Sequence, residues 1–402
     1  VVPRARIVAF AEGDLVEAFG EPYRPFAPDA HGLIHRRMAR LPRDPFLFVD
    51  RVTEVRGEPF VLARGAACET QFELRPDAWF FAASRQRSLP FAVLLEIALQ
   101  PCGWLAAYCG SALRSPERLR FRNLGGEAVA LRDCSVAAGE PGELLTVRAE
   151  LTDVSDAAGM LLQHFAFEVA GDRGGPLYRG TTYFGFFPDA ALRDQVGIRD
   201  AKLAAASGPG RTFALPDLPP WPTPTWRMVD RIDHLDMRGG DAGLGFVQGS
   251  TAVDPEAWFF RAHFFEDPVW PGSLGLEALL QLLQALAIER AGPAAAGLRF
   301  AAPAPGHPHR WTYRGQCTPA AARVDVQASV RAVEPAPGGG ELLRADGWLS
   351  VDGRAMYRME DFTLLATPAA VAGPDVGGGA SPDARTMAAA DASPARALTR
   401  TE

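Results

Sequence analysis

The sequence predicts an α+β chain of two similar halves, each a curved antiparallel sheet wrapped around one long central helix. Three observations lead there. The chain resembles itself at a spacing of about 180 residues, and such a repeat decides the architecture before any local pattern is read. Each copy carries one long run that is apolar on nearly every face, the mark of a helix covered on all sides. After that run come segments with strand-like alternation, rich in β-branched and aromatic residues and punctuated by glycine or proline. One buried helix inside a strongly curved sheet is the simplest packing of such a set.

Composition sets the outer bounds. The chain has 402 residues, 48% of them apolar and 22% charged, with a net charge of -7, which at about 150 residues per domain suggests two or three domains. Disorder throughout, a collagen-like chain and a disulfide scaffold are excluded by the apolar content, the aperiodic glycines and the few cysteines. The five cysteines, Cys68, Cys102, Cys109, Cys134 and Cys317, are scattered with no C-x-x-C pair. They suit free buried thiols in a reducing, cytoplasmic setting. The mildly acidic balance supplies no basic stripe, so nucleic acid is not an expected partner. Residues 1–9 show no basic stretch followed by an apolar core, so no secretory leader is expected there.

In chain order, residues 1–36 have no counterpart in the second copy and read as a lead-in helix and loop. The first half, 37–188, contains F-V-D-R-V at 48–52, R-P-D-A-W-F-F at 75–81 and the apolar run at 91–110. That run contains Glu96, Gln100 and Pro101. A central acid alone costs about 2.5 to 3.5 kcal/mol on insertion into a bilayer, so a buried helix, not a membrane span, is expected. Strands follow at 143–151 and 160–169. Residues 189–220, rich in Ala, Gly and Pro, read as a linker.

The second half, 221–366, repeats these marks: M-V-D-R-I at 228–232, D-P-E-A-W-F-F at 254–260, and a helix at 271–290 with proline at its first position. L-P-F-A-V-L-L-E-I-A-L-Q at 89–100 aligns with W-P-G-S-L-G-L-E-A-L-L-Q at 270–281. The register persists through L-R-F at 119–121 and 298–300, and through L-Y-R at 177–179 and M-Y-R at 356–358. Strands are expected at 315–317, 323–330, 342–349 and 356–365. The tail, 367–402, has almost no large apolar residues and is expected to be disordered.

Three elements with chemical potential coincide in the second half. His263 ends an apolar segment shortly before the helix start at Pro271-Gly272. A helix N-terminus offers unpaired N–H groups, and glycine lets a carbonyl approach them. Glu277 and Gln281 then share one helix face, as Glu96 and Gln100 do in the first half. A lone histidine among aromatics is more often a satisfied core residue, and a helix glutamate is often just solvated. The conjunction of histidine, Pro-Gly start and repeated mid-helix acid is what points to a site, because an acid buried without a partner is costly. His307 and His309, in G-H-P-H-R-W, have no third ligand at metal-site spacing and read as part of a turn, so no metal is expected. His164 and His234 read as packing or surface residues, and His31 and His35 fall in the lead-in. No P-loop, G-x-S-x-G or dinucleotide fingerprint is present.

The stretch W-F-F-R-A-H-F-F-E-D-P-V-W-P-G-S-L-G-L-E-A-L-L-Q at 258–281 resembles the active-site signature of the hotdog-fold 3-hydroxyacyl-ACP dehydratases of the dehydratase/isomerase type. The tandem arrangement over about 41–365 resembles the paired dehydratase regions of polyunsaturated fatty acid synthases, which are similar to polyketide synthases. The resemblance implies a double hotdog, with a site built across the two halves from the histidine of one and the helix acid of the other. His263 would then work with Glu96, not Glu277. The first half has Ser84 where the second has His263, and Pro90-Phe91 where the second has Pro271-Gly272, so the resemblance makes it a pseudo-domain that lends an acid. Glutamate also stands where the stand-alone bacterial enzymes carry aspartate.

On that resemblance the chain would dehydrate 3-hydroxyacyl thioesters. His263 would take the C2 proton, Glu96 would serve the departing hydroxyl with Gln100 holding it, and the Gly272 N–H would bond the thioester carbonyl. No metal or organic cofactor is implied. The acyl chain would arrive on the phosphopantetheine of an acyl carrier protein within a megasynthase, with a homodimer as a further possibility and no membrane partner. Three alternatives stand beside this: a hotdog thioesterase, for which His263 is superfluous; a silent acyl-binding or carrier-protein-binding scaffold; and a 2-trans to 3-cis enoyl isomerase using the same residues.

Overall fold

Each repeat folds around its apolar run. The computed structural model describes residues 1–368, apart from residues 30, 32, 35, 136–141, 158–159 and 194. Ahead of the first repeat lie two short helices, α1 (Arg4–Glu12) and α2 (Leu15–Phe19), the second started by an Asp14 carboxylate that accepts from the Val16 N–H at 2.8 Å. The first half then runs β1 (Arg51–Arg56), β2 (Ala67–Leu74), α3 (Trp79–Ser84), α4 (Phe91–Tyr108), β3 (Leu119–Ala130), β4 (Glu143–Ala157), β5 (Met160–Gly171) and β6 (Gly175–Pro188). A helical turn, α5 (Asp189–Arg193), and a short strand, β7 (Arg211–Ala214), lie between the halves. The second half repeats the order as β8 (Arg231–Asp236), β9 (Phe246–Ala252), α6 (Trp258–Ala262), α7 (Gly272–Ala291), β10 (Leu298–Ala301), β11 (Pro308–Tyr313), β12 (Arg323–Ala336), β13 (Gly340–Val351) and β14 (Arg354–Pro368).

All the strands described belong to one antiparallel sheet ordered β1-β2-β4-β5-β6-β3-β11-β14-β13-β12-β9-β8-β7, with β10 beside β14. The order in one half mirrors that in the other, and β3 against β11 is the seam. Each half is a hotdog, its long helix lying against its own strands, so the chain is a double hotdog. Leu89 N–H bonds the Cys134 carbonyl at 2.7 Å, and Trp270 N–H bonds the Cys317 carbonyl at 2.8 Å in the same place of the other half.

The two helices end as the sequence predicts to within two residues, because both begin at proline and stay apolar all round. Four expectations need correction. Residues 315–317 are not a strand: the strand is β11, just before them. His309, expected in a turn, sits in that strand and is buried, its Nε2 2.9 Å from the Tyr178 hydroxyl. Proline is compatible with the first position of a strand, which is how Pro308 opens β11. Residues 189–220, read as a linker, supply β7, which joins the sheet edge through Arg211, Phe213 and Ala214. Residues 367 and 368, read as the start of the tail, finish β14 against β10. The rest of that tail, and His35, lie outside the described residues.

The lead-in is built into the core rather than appended to it. Ile7, Phe10, Leu15, Phe19, Tyr23 and Phe26 are buried against the C-terminal half of α4, and Tyr23 donates to the Ala107 carbonyl. The helix α4 is long and apolar enough to cross a membrane by length and composition, and 89% of it is buried inside this protein. All five cysteines are buried and unpaired.

Candidate active site

The second-half histidine is fixed by its own loop. His263 caps α6, donating its N–H to the Phe259 carbonyl at 2.8 Å, and its carbonyl accepts from Val269 N–H at 2.8 Å. Its ring Nδ1 lies 3.0 Å from the Val269 carbonyl. A carbonyl only accepts, so Nδ1 carries the proton and Nε2 keeps its lone pair. Burial pushes this imidazole down to about 3, against the opposing pull of the Val269 carbonyl, so it is neutral.

The first half holds the same loop from the other side. Asp267 pairs with Arg122 at 2.8 Å and with Arg120, and Arg118 donates to the Glu266 carbonyl at 2.9 Å. Burial works to raise the Asp267 carboxyl, but Arg122, Arg120 and Arg118 bring it below its usual value. The loop bearing His263 is thus anchored by arginines at and near the start of β3.

Glu96 projects from α4 across the seam. Its Oε1 accepts from the Ser273 hydroxyl at 2.7 Å, at the first turn of α7, and its Oε2 from the Gln100 amide at 3.0 Å. Gln100 is in turn clamped by the Phe46 carbonyl and the Phe48 N–H, both at 2.8 Å. Burial raises the Glu96 carboxyl, and the bonds from Gln100 and Ser273 offset this only in part.

His263, Glu96, Gln100 and Gly272 all line one cavity of about 110 Å³. Gly272 is the first residue of α7, where N–H groups have no acceptor within the helix. It has to be glycine for a local reason: a Cβ there would lie 2.8 Å from Cζ of Tyr313. Tyr313 lines the same cavity, and its buried hydroxyl has no hydrogen-bond partner among the described residues.

The related position in the other half is filled. Glu277 is buried, accepting from Ala92 N–H and from the Trp226 indole, each at 3.2 Å, and burial raises it to about 7 against those two bonds. Gln281 bonds Met228 N–H at 2.9 Å and the Trp226 carbonyl at 2.8 Å, as Gln100 does with Phe48 and Phe46. Here, though, Ser84 and Phe91 occupy the places of His263 and Gly272, and the space left is about 30 Å³. The carboxylate of Glu277 itself takes the helix N-terminus of α4.

Ser273 and Tyr313 were not singled out from the sequence. Ser273 had a signal, since the aligned residue in the first half is Ala92; Tyr313 had none, because its approach to Gly272 is tertiary. His309 lies by the filled site instead, packed edge-on to Phe91 with centroids 5.4 Å apart. Among the described residues no three His, Cys, Asp or Glu side chains gather as a metal site. A larger groove, about 920 Å³, crosses the sheet surface and is lined by charged side chains such as Glu54, Arg56, Arg148 and Glu168; it contains neither His263 nor Glu96.

Residues 221–360 match the FabA-like domain family. A polyunsaturated fatty acid synthase polypeptide of Thraustochytrium sp. is 31% identical over 326 residues, covering 73% of this chain. The chain spans 21% of that relative's length. Among solved structures, the dehydratase domain from the CurJ module of curacin polyketide synthase aligns at 11% identity, covering 80% of this chain and 96% of that one, with a TM-score of 0.44. The dehydratase domain of RzxB from Pseudomonas fluorescens aligns at 14% identity over 81% and 98%, TM-score 0.42. The 12:0-ACP thioesterase from Umbellularia californica aligns at 11% over 75% and 94%, TM-score 0.41.

Proposed function

We propose that this chain, whose residues 221–360 are a FabA-like domain, removes water from 3-hydroxyacyl thioesters at a single composite site, with His263 and Glu96 as its catalytic pair. The observation that carries the reading is one cavity lined by a neutral histidine from one half and a buried acid with a raised pKa from the other. Elimination needs both at once: an acceptor for the C2 proton and a donor for the leaving hydroxyl.

Nε2 of His263 takes the C2 proton while the Glu96 carboxyl gives its own proton to the C3 hydroxyl. The C3–O bond breaks, the C2–C3 double bond forms and water leaves. An imidazole pushed to about 3 is a weak base by itself. The step makes an imidazolium and a carboxylate together, and in a low-dielectric cavity each stabilises the other. Ser273 and Gln100 already aim donors at the Glu96 oxygens where that charge appears. The Gly272 N–H supplies the thioester carbonyl with a hydrogen bond as negative charge builds there. Return of the proton from His263 to Glu96 resets the site. The substrate in this reading is delivered on the phosphopantetheine of an acyl carrier protein.

The test is hydration of a short 2-enoyl pantetheine thioester, the reverse reaction, with free thiol followed in the same cuvette. Glu96→Gln and His263→Ala are each expected to lower the rate by about 100-fold or more, the usual range for a general acid or base, while Glu277→Gln retains activity. Loss with Glu277→Gln and not with Glu96→Gln would overturn the pairing across the halves. Thiol release without hydration would make the chain a thioesterase.

A further inference from the structure

The sheet register fixes which residues of the two halves correspond around the helix starts. Tyr313 on β11 stands opposite Tyr357 on β14, and Ala130 on β3 stands opposite the aligned Tyr178 on β6. The half with the open cavity thus carries a phenol where the filled half carries a methyl group. The oxygen of that phenol makes no bond within the fold. It is buried without a hydrogen-bond partner among the described residues, which works against stability. The hydroxyl of Tyr178, by contrast, is satisfied by His309 Nε2 at 2.9 Å.

A buried donor with no acceptor, at the wall of a cavity, calls for an acceptor that a ligand brings. The Glu96 carboxyl already has its donors, Ser273 on one oxygen and Gln100 on the other. The start of α7 is the other polar neighbour. The Tyr313 hydroxyl lies 3.0 Å from the place that a Cβ on Gly272 would take, so standard bond geometry puts it no more than about 5.5 Å from the Gly272 nitrogen. One oxygen atom about 3 Å from each donor spans such a separation. Burial above all, with Tyr357 and Glu96 nearby, holds the phenol well above its ordinary pKa of 10, so it keeps its proton and acts as a donor.

Resting on the dehydratase reading, we propose that Tyr313 is a further catalytic residue, whose hydroxyl donates to the thioester carbonyl together with the Gly272 N–H. The two donors make a pocket for the negative charge that gathers on that oxygen as His263 takes the C2 proton. No bond to Tyr313 forms or breaks, and its proton stays on the phenol. Both donors are in place before the charge develops, so their bonds strengthen in the transition state without reorganisation.

Tyr313→Phe removes the oxygen and keeps the ring that packs on Tyr357. In the hydration of a short 2-enoyl pantetheine thioester it is expected to lower kcat by about 100-fold, the usual cost of one such donor, and to leave KM nearly unchanged, as for an interaction made in the transition state. Its melting midpoint is expected to equal or exceed that of the unaltered chain, because an unpartnered buried hydroxyl is gone. Infrared spectra give a readout that packing alone does not move. With the thioester isotope-labelled at its carbonyl carbon and bound to His263→Ala, adding Tyr313→Phe is expected to shift the carbonyl stretch to higher wavenumber. This ligand has no C3 hydroxyl, so a lower rate with an unmoved stretch would mean that Tyr313 serves some other group. That result, a full hydration rate, or a drop in rate matched by a drop in melting midpoint overturns the proposal and leaves the dehydratase reading standing. No hydration by the unaltered chain removes both.

Discussion

Glu96 and Glu277 occupy the same place in two aligned helices, and their neighbours give them different work. Both are buried and both have raised pKa values. Glu96 faces open space beside His263, whereas Glu277 faces Trp226 and the N–H of Ala92 with no room for a substrate. Glu277 therefore bears on stability. Its folded pKa, about 7, stands above the ordinary 4.5, so between these values the folded state holds more protons than the unfolded one. Stability then falls as pH rises through that window, by about 3 kcal/mol in full. His263 and His309 act with the opposite sign: burial lowers them to about 3 and about 4, so stability falls as pH drops below 6.5. In thermal melts from pH 5 to pH 8 the midpoint of the unaltered chain is expected to decline with rising pH relative to that of Glu277→Gln, because the opposite trend of the histidines is common to both. An unchanged slope in that variant would mean that Glu277 does not carry the effect.

At the scale of the element, α7 does two things that its sequence announces unevenly. Its start at proline and its all-round apolar surface were legible, and so was the repeated acid, because these are local or periodic. That α7 aims its first-turn Ser273 at an acid on the other helix was not, since sequence spacing does not say which helix faces which. The buried place of His309 was hidden by the prolines just before it, Pro303, Pro305 and Pro308, and β7 by its length of four residues. The bond from Ser273 to Glu96 favours the ionised carboxyl. Removing it with Ser273→Ala raises the Glu96 pKa further, so the alkaline limb of kcat, set by loss of the Glu96 proton, is expected to move to higher pH. The rate on the plateau falls about tenfold, in line with about 1.5 kcal/mol for a hydrogen bond to a charged group. A kcat profile over pH reads both. A lower rate with an unmoved limb would assign Ser273 a packing role instead.

At the scale of the whole molecule, the seam bears on the proposal that the site is shared by both halves. β3 and β11 pair with Trp311 opposite Gly126 and His309 opposite Ala128. A Cβ on Gly126 would lie 2.5 Å from Cζ2 of Trp311, so the large ring of one strand requires the bare backbone of the other. If two second halves paired in the same register, Trp311 would meet His309, which has a side chain where the seam has none. Glu277 could then not be carried across to stand in for Glu96. Residues 221–368 expressed alone are therefore expected to leave β11 as an open edge, to associate irregularly and to show no hydration of a 2-enoyl thioester. Adding residues 1–220 is expected to restore activity, because they bring Gly126, Glu96 and the arginines that hold Asp267. Size-exclusion chromatography and the hydration rate, measured on the second half alone and on the mixture, test this together. A regular, active dimer of second halves would show that Glu277 can replace Glu96 and that the seam does not specify the pairing.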